Sequence, residues 1–172
     1  MSYSDHYRAE ARLPAAAEQV FAYLDDPRRL VSHMSKRSWM MAGGRMSIDL
    51  DAAGGRAPGS LIRLHGRMLG LTLSVEERVT ERLAPHRKVW QTEGMARLLV
   101  LTAYRMGFEI LNVEAGTQLA VWIEFSKPVA GLWGLLGRSL GPRYARWCVD
   151  RMLADARQQF ASPVSGSAAT TR

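Results

Sequence analysis

Apolar residues recur along this chain in two rhythms, and the places where one gives way to the other outline its elements. In Leu13–Leu30, LPAAAEQVFAYLDDPRRL, the residues Val20, Phe21 and Leu24 fall at helical spacing behind Pro14, which suits the first turn of a helix. Asp25-Asp26-Pro27 then supplies a stop and a new cap. The segment predicts a strand followed by two short helices.

The rhythm next becomes alternation. In Arg45–Ala52, Met46, Ile48 and Leu50 oppose Ser47, Asp49 and Asp51; in Ser60–Leu69, Ile62, Leu64 and Met68 oppose Arg63, His65 and Arg67. Gly54-Gly55 and Pro58-Gly59 mark a turn between them, and Gly70 marks the next reversal. Leu71, Leu73, Val75 and Val79 share one parity in a strand ending near Ala84-Pro85, and His86–Glu93 predicts another strand that stops before Gly94. Tyr104, Met106, Phe108 and Ile110 oppose Arg105, Gly107 and Glu109, and Leu119, Val121, Ile123 and Phe125 repeat the pattern after a turn at Glu114–Thr117. One-face alternation is what an antiparallel sheet shows when one side packs on a core and the other meets water. About seven strands are expected. From Tyr144 the period turns helical: Ala145, Cys148, Val149, Met152, Leu153, Ala156 and Phe160 share an arc, with Arg146, Asp150, Arg151 and Arg157 outside it. One long C-terminal helix should follow the sheet.

Composition narrows the class. With 172 residues, 47% hydrophobic and 23% charged, the chain suits one globular domain over residues 1–161. The tail 162–172, rich in Ser, Ala and Thr, is expected to be disordered. The N-terminus has no apolar core of a signal peptide, and no run reaches the ~18 apolar residues of a membrane span. The single Cys148 can form no internal disulfide, so a cytoplasmic location is expected. A net charge of +7 favours acidic partners, yet the arginines are dispersed and no nucleic-acid motif accompanies them. No nucleic-acid partner is expected; the charge serves solubility, with transient contact at a membrane surface as a minor role. The pattern leaves the oligomeric state open.

The order of a strand, two short helices, six strands and a long helix resembles the helix-grip fold of the START-like (SRPBCC) superfamily, which includes lipid-transfer domains, Bet v 1-type pollen allergens and polyketide cyclases. LPAAAEQVFAYLDDPRRL, EERVTERLAPHRKVWQTEG and YARWCVDRMLADARQQF carry the resemblance, which spans Tyr7–Phe160 and specifies fold far better than activity. The fold class it implies is α+β, with the short helices closing one end of a curved antiparallel sheet and a cavity between that sheet and the C-terminal helix. The small Ala145, Cys148 and Ala156 on the helix face leave room for such a cavity. Met34, Met40, Met41, Met46, Met68 and Met106 on or near the inner face would give it an adaptable wall. Any single one of them is more often plain core, since apolar residues at strand spacing usually are.

The expected wall comprises Met68, Met106, Phe108, Val121, Ile123, Val149 and Met152, with Glu77 and Tyr104 as its polar groups. Glu77 shares the parity of Leu73, Val75 and Val79, so it points inward or a bulge turns it out; the alternative is a rim glutamate paired with an arginine. Tyr104 either aims its hydroxyl inward or packs with its tip in water. Trp90 is ambiguous because Val89 and Gln91 contest its face, and His33 and Trp39 fall near the expected pocket.

Other chemistries find no support. There is no GxSxG serine, no P-loop and no GxGxxG, and His6, His33, His65 and His86 are scattered without ligand spacing. Neither a metal nor a cofactor is expected, and no catalytic residue is assigned. Cys148 on the apolar arc reads as an inert buried thiol. The stretch Gly131–Pro142, GLWGLLGRSLGP, is either a mobile lid or the first segment of the main helix. Two functions follow from the resemblance: binding of a small hydrophobic or amphipathic ligand (lipid, quinone, sterol-like or polyketide-like), or a polyketide cyclase/dehydratase-type enzyme using the same cavity. Interaction with ribosome or nucleic acid ranks last.

Overall fold

A computed structural model describes residues 3–29, 45–68, 71–97, 101–127 and 131–161, with the backbone alone at 45, 46, 68, 71, 95–97 and 131–139. Nine elements follow in order: β1 (Asp5–Leu13), α1 (Ala17–Leu24), β2 (Arg45–Leu50), β3 (Leu61–Met68), β4 (Leu71–Leu83), β5 (Arg87–Arg97), β6 (Ala103–Val113), β7 (Gly116–Ser126) and α2 (Gly131–Phe160). The seven strands form one antiparallel sheet in the order β1-β7-β6-β5-β4-β3-β2. Every pairing except β1 with β7 joins strands consecutive in sequence. The two edges are therefore β1 and β2, the strands on either side of α1 in the chain.

Inward residues follow the alternation. Met106 faces Ile123 and Phe108 faces Val121 across β6 and β7, and Ala9 and Ala11 continue the layer on β1 opposite Val121 and Leu119. Helix α2 packs principally on β1 and β7, while α1 packs on β6 and touches α2. Phe21 of α1 sets its ring edge-on to Phe108, with centroids 5.6 Å apart. The core thus gathers where both helices meet the middle of the sheet.

Helix α1 ends as its sequence predicts. The Asp25 N–H donates to the Phe21 carbonyl at 2.8 Å, and the Asp26 carboxylate accepts from the Arg28 N–H at 3.0 Å to cap a new helical turn at 27–29. The remainder of the second short helix, with His33, Met34, Trp39, Met40 and Met41, lies outside the described residues, as does the tail 162–172. Three expectations are corrected. Pro14 sits in the turn before α1, because Leu13 is still paired with Thr117 and Ala16 is extended, so the helix starts at Ala17. Strand β5 runs through Gly94: its positive φ of 68° accommodates a bulge, and the partners on β4 step from Glu76↔Glu93 to Ser74↔Arg97. Helix α2 begins at Gly131 rather than near Tyr144, carrying Pro142 inside it. The stretch 131–142 is thus helical in backbone and continuous with α2, despite the cost of glycines and a proline there. Among the described residues no helix is long and apolar enough to cross a membrane.

Candidate functional site

Glu77 occupies an inward position on β4, between Ile62 of β3 and Thr92 of β5 in the pairing register. Its residue is only 6% exposed, so neither a rim position nor an outward turn applies. Tyr104, inward on β6 opposite Phe125, donates its hydroxyl to Glu77 Oε1. Among the described residues this is the carboxyl's one hydrogen-bond partner, and the second oxygen is left available.

Local backbone geometry holds Tyr104 in place. Regular pairing of β5 with β6 covers residues 87–91 and 105–109 only. Just beyond it, the Thr92 hydroxyl accepts from the Tyr104 N–H at 3.2 Å and donates to the Tyr104 carbonyl at 3.3 Å. A side chain thereby continues the ladder where the two strands part, and both backbone groups of Tyr104 stay satisfied.

Two groups of α2 complete the cluster. Tyr144 and Cys148 interact with each other, and both residues feel the charge of Glu77. Tyr104, Tyr144 and Cys148 are half-buried and packed against the core. Burial raises the Glu77 carboxyl from 4.5 to about 7, against the Tyr104 hydrogen bond and the more distant Lys88 charge, both of which lower it. Burial likewise holds the Tyr104 and Tyr144 phenols well above their ordinary value and pushes the Cys148 thiol up to about 12. The phenols and thiol stay protonated at neutral pH, so the expected inertness of Cys148 accords with its surroundings. Glu77 alone changes charge near neutrality. It can donate a proton to a ligand oxygen when neutral, or accept one when ionised.

Of the expected wall, Phe108, Val121 and Val149 are 0% exposed, with Ile123, Met106 and Met152 also buried. They form packed core that backs the polar cluster. Ala145 and Ala156 are completely buried too, so small residues there mark close approach of α2 rather than spare room. Only Cys148 of that trio keeps accessible surface. The side chains of Met46 and Met68 lie outside the described residues.

A buried ionic cluster went unrecognised in the pattern. Lys88, 1% exposed, donates from Nζ to the Asp25 carboxylate at 2.7 Å, the Asp25 carbonyl at 3.0 Å and the Gly55 carbonyl at 2.9 Å. Arg82 binds the same carboxylate, and burial lowers the Lys88 ammonium while Asp25 raises it. All three ammonium protons are used, which makes Lys88 a clamp joining α1, β5 and the loop before β3. Trp90 faces inward two residues on, buried and edge-on to Phe108. Resolving its face would have flagged Lys88 and Thr92, which share its parity. Among the described residues no group of His, Cys, Asp and Glu is placed to hold a metal ion.

Comparison with known proteins bears on the whole arrangement. The family model described as "Polyketide cyclase / dehydrase and lipid transport" matches residues 5–160. No curated protein matches the sequence significantly. Solved structures share the fold at low identity. The di-domain ARO/CYC protein BexL superposes with a TM-score of 0.64 at 16% identity, over 92% of this chain and 50% of its own. A protein of Thermus thermophilus gives 0.61 at 17%, over 92% and 100%. Norcoclaurine synthase of Thalictrum flavum gives 0.60 at 13%, over 91% and 86%.

Proposed function

The chain belongs to the polyketide cyclase / dehydrase and lipid transport family, and from that premise we propose that it holds one small apolar molecule bearing an oxygen function, such as a lipid, quinone or polyketide-like compound, between the inner sheet face and α2. The observation carrying this reading is the Glu77–Tyr104 pair, a carboxyl and a phenol joined on a mostly apolar inner face. An apolar wall retains a ligand without orienting it, whereas one placed polar group fixes which end goes in. Tyr104, Tyr144 and Cys148 support the same view. Each packs against the core while keeping some accessible surface. Helix α2 also packs mainly on β1 and β7, away from Glu77 on β4.

A second reading, cyclase or dehydratase chemistry, has one observation in its favour. Glu77 titrates at about 7, where an acid–base group works best near neutral pH. Proton transfer at a ligand carbon or oxygen would fall to this carboxyl, with Tyr104 orienting it.

Native mass spectrometry of the protein purified from its own host tests the binding reading. One retained small molecule is expected, and a hydrophobic dye should bind the emptied protein and be displaced by a lipid or quinone. Absence of both a retained mass and dye binding would overturn it.

A further inference from the structure

The outward side of α2 carries a second arrangement, separate from Glu77. A shallow, open groove of about 490 Å³ is lined by Arg143, Arg146, Trp147, Asp150, Arg151 and Ala154. Its acid is already engaged: Asp150 accepts from the Tyr7 hydroxyl at 3.0 Å, and Arg146 lies over the Tyr7 ring at 5.2 Å. Arg143 is exposed and makes no ion pair among the described residues. The charge extends along the chain. Between Glu124 and Asp150 the sequence holds no acidic residue, while Lys127, Arg138, Arg143 and Arg146 are basic. The same run contains Leu132, Trp133, Leu135, Leu136, Leu140 and Trp147, on a backbone helical from Gly131. Leu140 is exposed.

From this we infer that the outer side of α2 docks on an anionic phospholipid bilayer. Basic residues interspersed with Leu and Trp on one helix combine attraction to anionic headgroups with apolar groups that enter the interface. The groove is too open to enclose a small ligand but suits a broad surface. Its indole also stacks on the Tyr144 ring, which packs against the core, with centroids 5.9 Å apart. Contact at Trp147 therefore touches a residue of the inner cluster.

Vesicle co-sedimentation of the full chain tests docking without any bound ligand, so its outcome is independent of the binding reading. The chain should sediment with phosphatidylcholine vesicles containing about one quarter phosphatidylglycerol, not with phosphatidylcholine alone, and should release in about 0.5 M salt. The double variant Arg143→Glu/Arg146→Glu should weaken binding about tenfold or more. Arg63→Glu/Arg67→Glu, an equal change of net charge on exposed positions of β3, should leave it near wild type. Circular dichroism checks each fold, and Arg143→Glu alone, at a side chain without an ion-pair partner, should give a smaller loss in the same direction. Equal loss in both doubles, binding indifferent to phosphatidylglycerol, or retention by double-stranded DNA but not by vesicles would overturn the proposal.

Discussion

Burial of the Glu77 carboxyl costs stability at neutral pH. That carboxyl ionises near 4.5 when unfolded and at about 7 in the fold, because burial penalises the charge more than Tyr104 and Lys88 relieve it. Between those values the folded chain binds more protons than the unfolded one, so this residue's contribution falls as pH rises. The penalty is absent below about pH 4.5 and complete above about pH 7, and amounts to roughly 3 kcal/mol. Glu77→Gln should therefore gain stability relative to wild type on going from about pH 5 to about pH 8. Urea midpoints at the two pH values measure the gap, and a gap that stays constant contradicts the assignment. The positions of Glu77 and Tyr104 were legible in the sequence because each shares parity with clearly apolar neighbours. Thr92, Lys88 and the Tyr144–Cys148 pair were not. Lys88 and Thr92 flank Trp90, whose face was obscured by Val89, an outward-parity residue that is nonetheless completely buried.

At the scale of elements, the same obscurity has a physical source on the outer sheet face. Gly107 on β6 pairs with Val89 on β5 and Trp122 on β7. The Trp122 indole lies so close that a Cβ at Gly107 would stand 2.7 Å from its Cζ2 and 2.8 Å from the Lys88 carbonyl oxygen. Arg87 and Arg105 place their guanidiniums 5.9 and 5.3 Å from that ring. Indole and arginine stems thus cover part of a face that simple alternation treats as wet. Gly107→Ala is expected to cost roughly 1–3 kcal/mol, since backbone as well as ring must shift. A urea midpoint unchanged from wild type would show that the sheet yields more easily than this packing implies. Element boundaries were misjudged for a related reason. Glycine and proline mark breaks only on average, and here Gly94 makes a bulge within β5 while Pro142 sits inside α2.

For the whole molecule, the change from alternation to helical period was enough to indicate the sheet, its antiparallel order and the C-terminal helix, and the START-like resemblance agrees with the matched family. The ligand was not legible, because the family's shared pattern encodes a layer of sheet and helix, while ligand choice rests on a few side chains whose contacts span distant parts of the chain. Glu77 and Tyr104 are 27 residues apart and meet only through the sheet. The central claim is that this pair orients an oxygen-bearing apolar ligand, and affinity tests it most directly. With the molecule identified by native mass spectrometry, binding is measured for wild type, Glu77→Gln and Tyr104→Phe, beside an alkane-like analogue of similar size. Each substitution should weaken the oxygen-bearing ligand by roughly 1–3 kcal/mol through an unsatisfied buried partner, and leave the analogue nearly unchanged. Equal affinities across all three proteins for both ligands would contradict the claim.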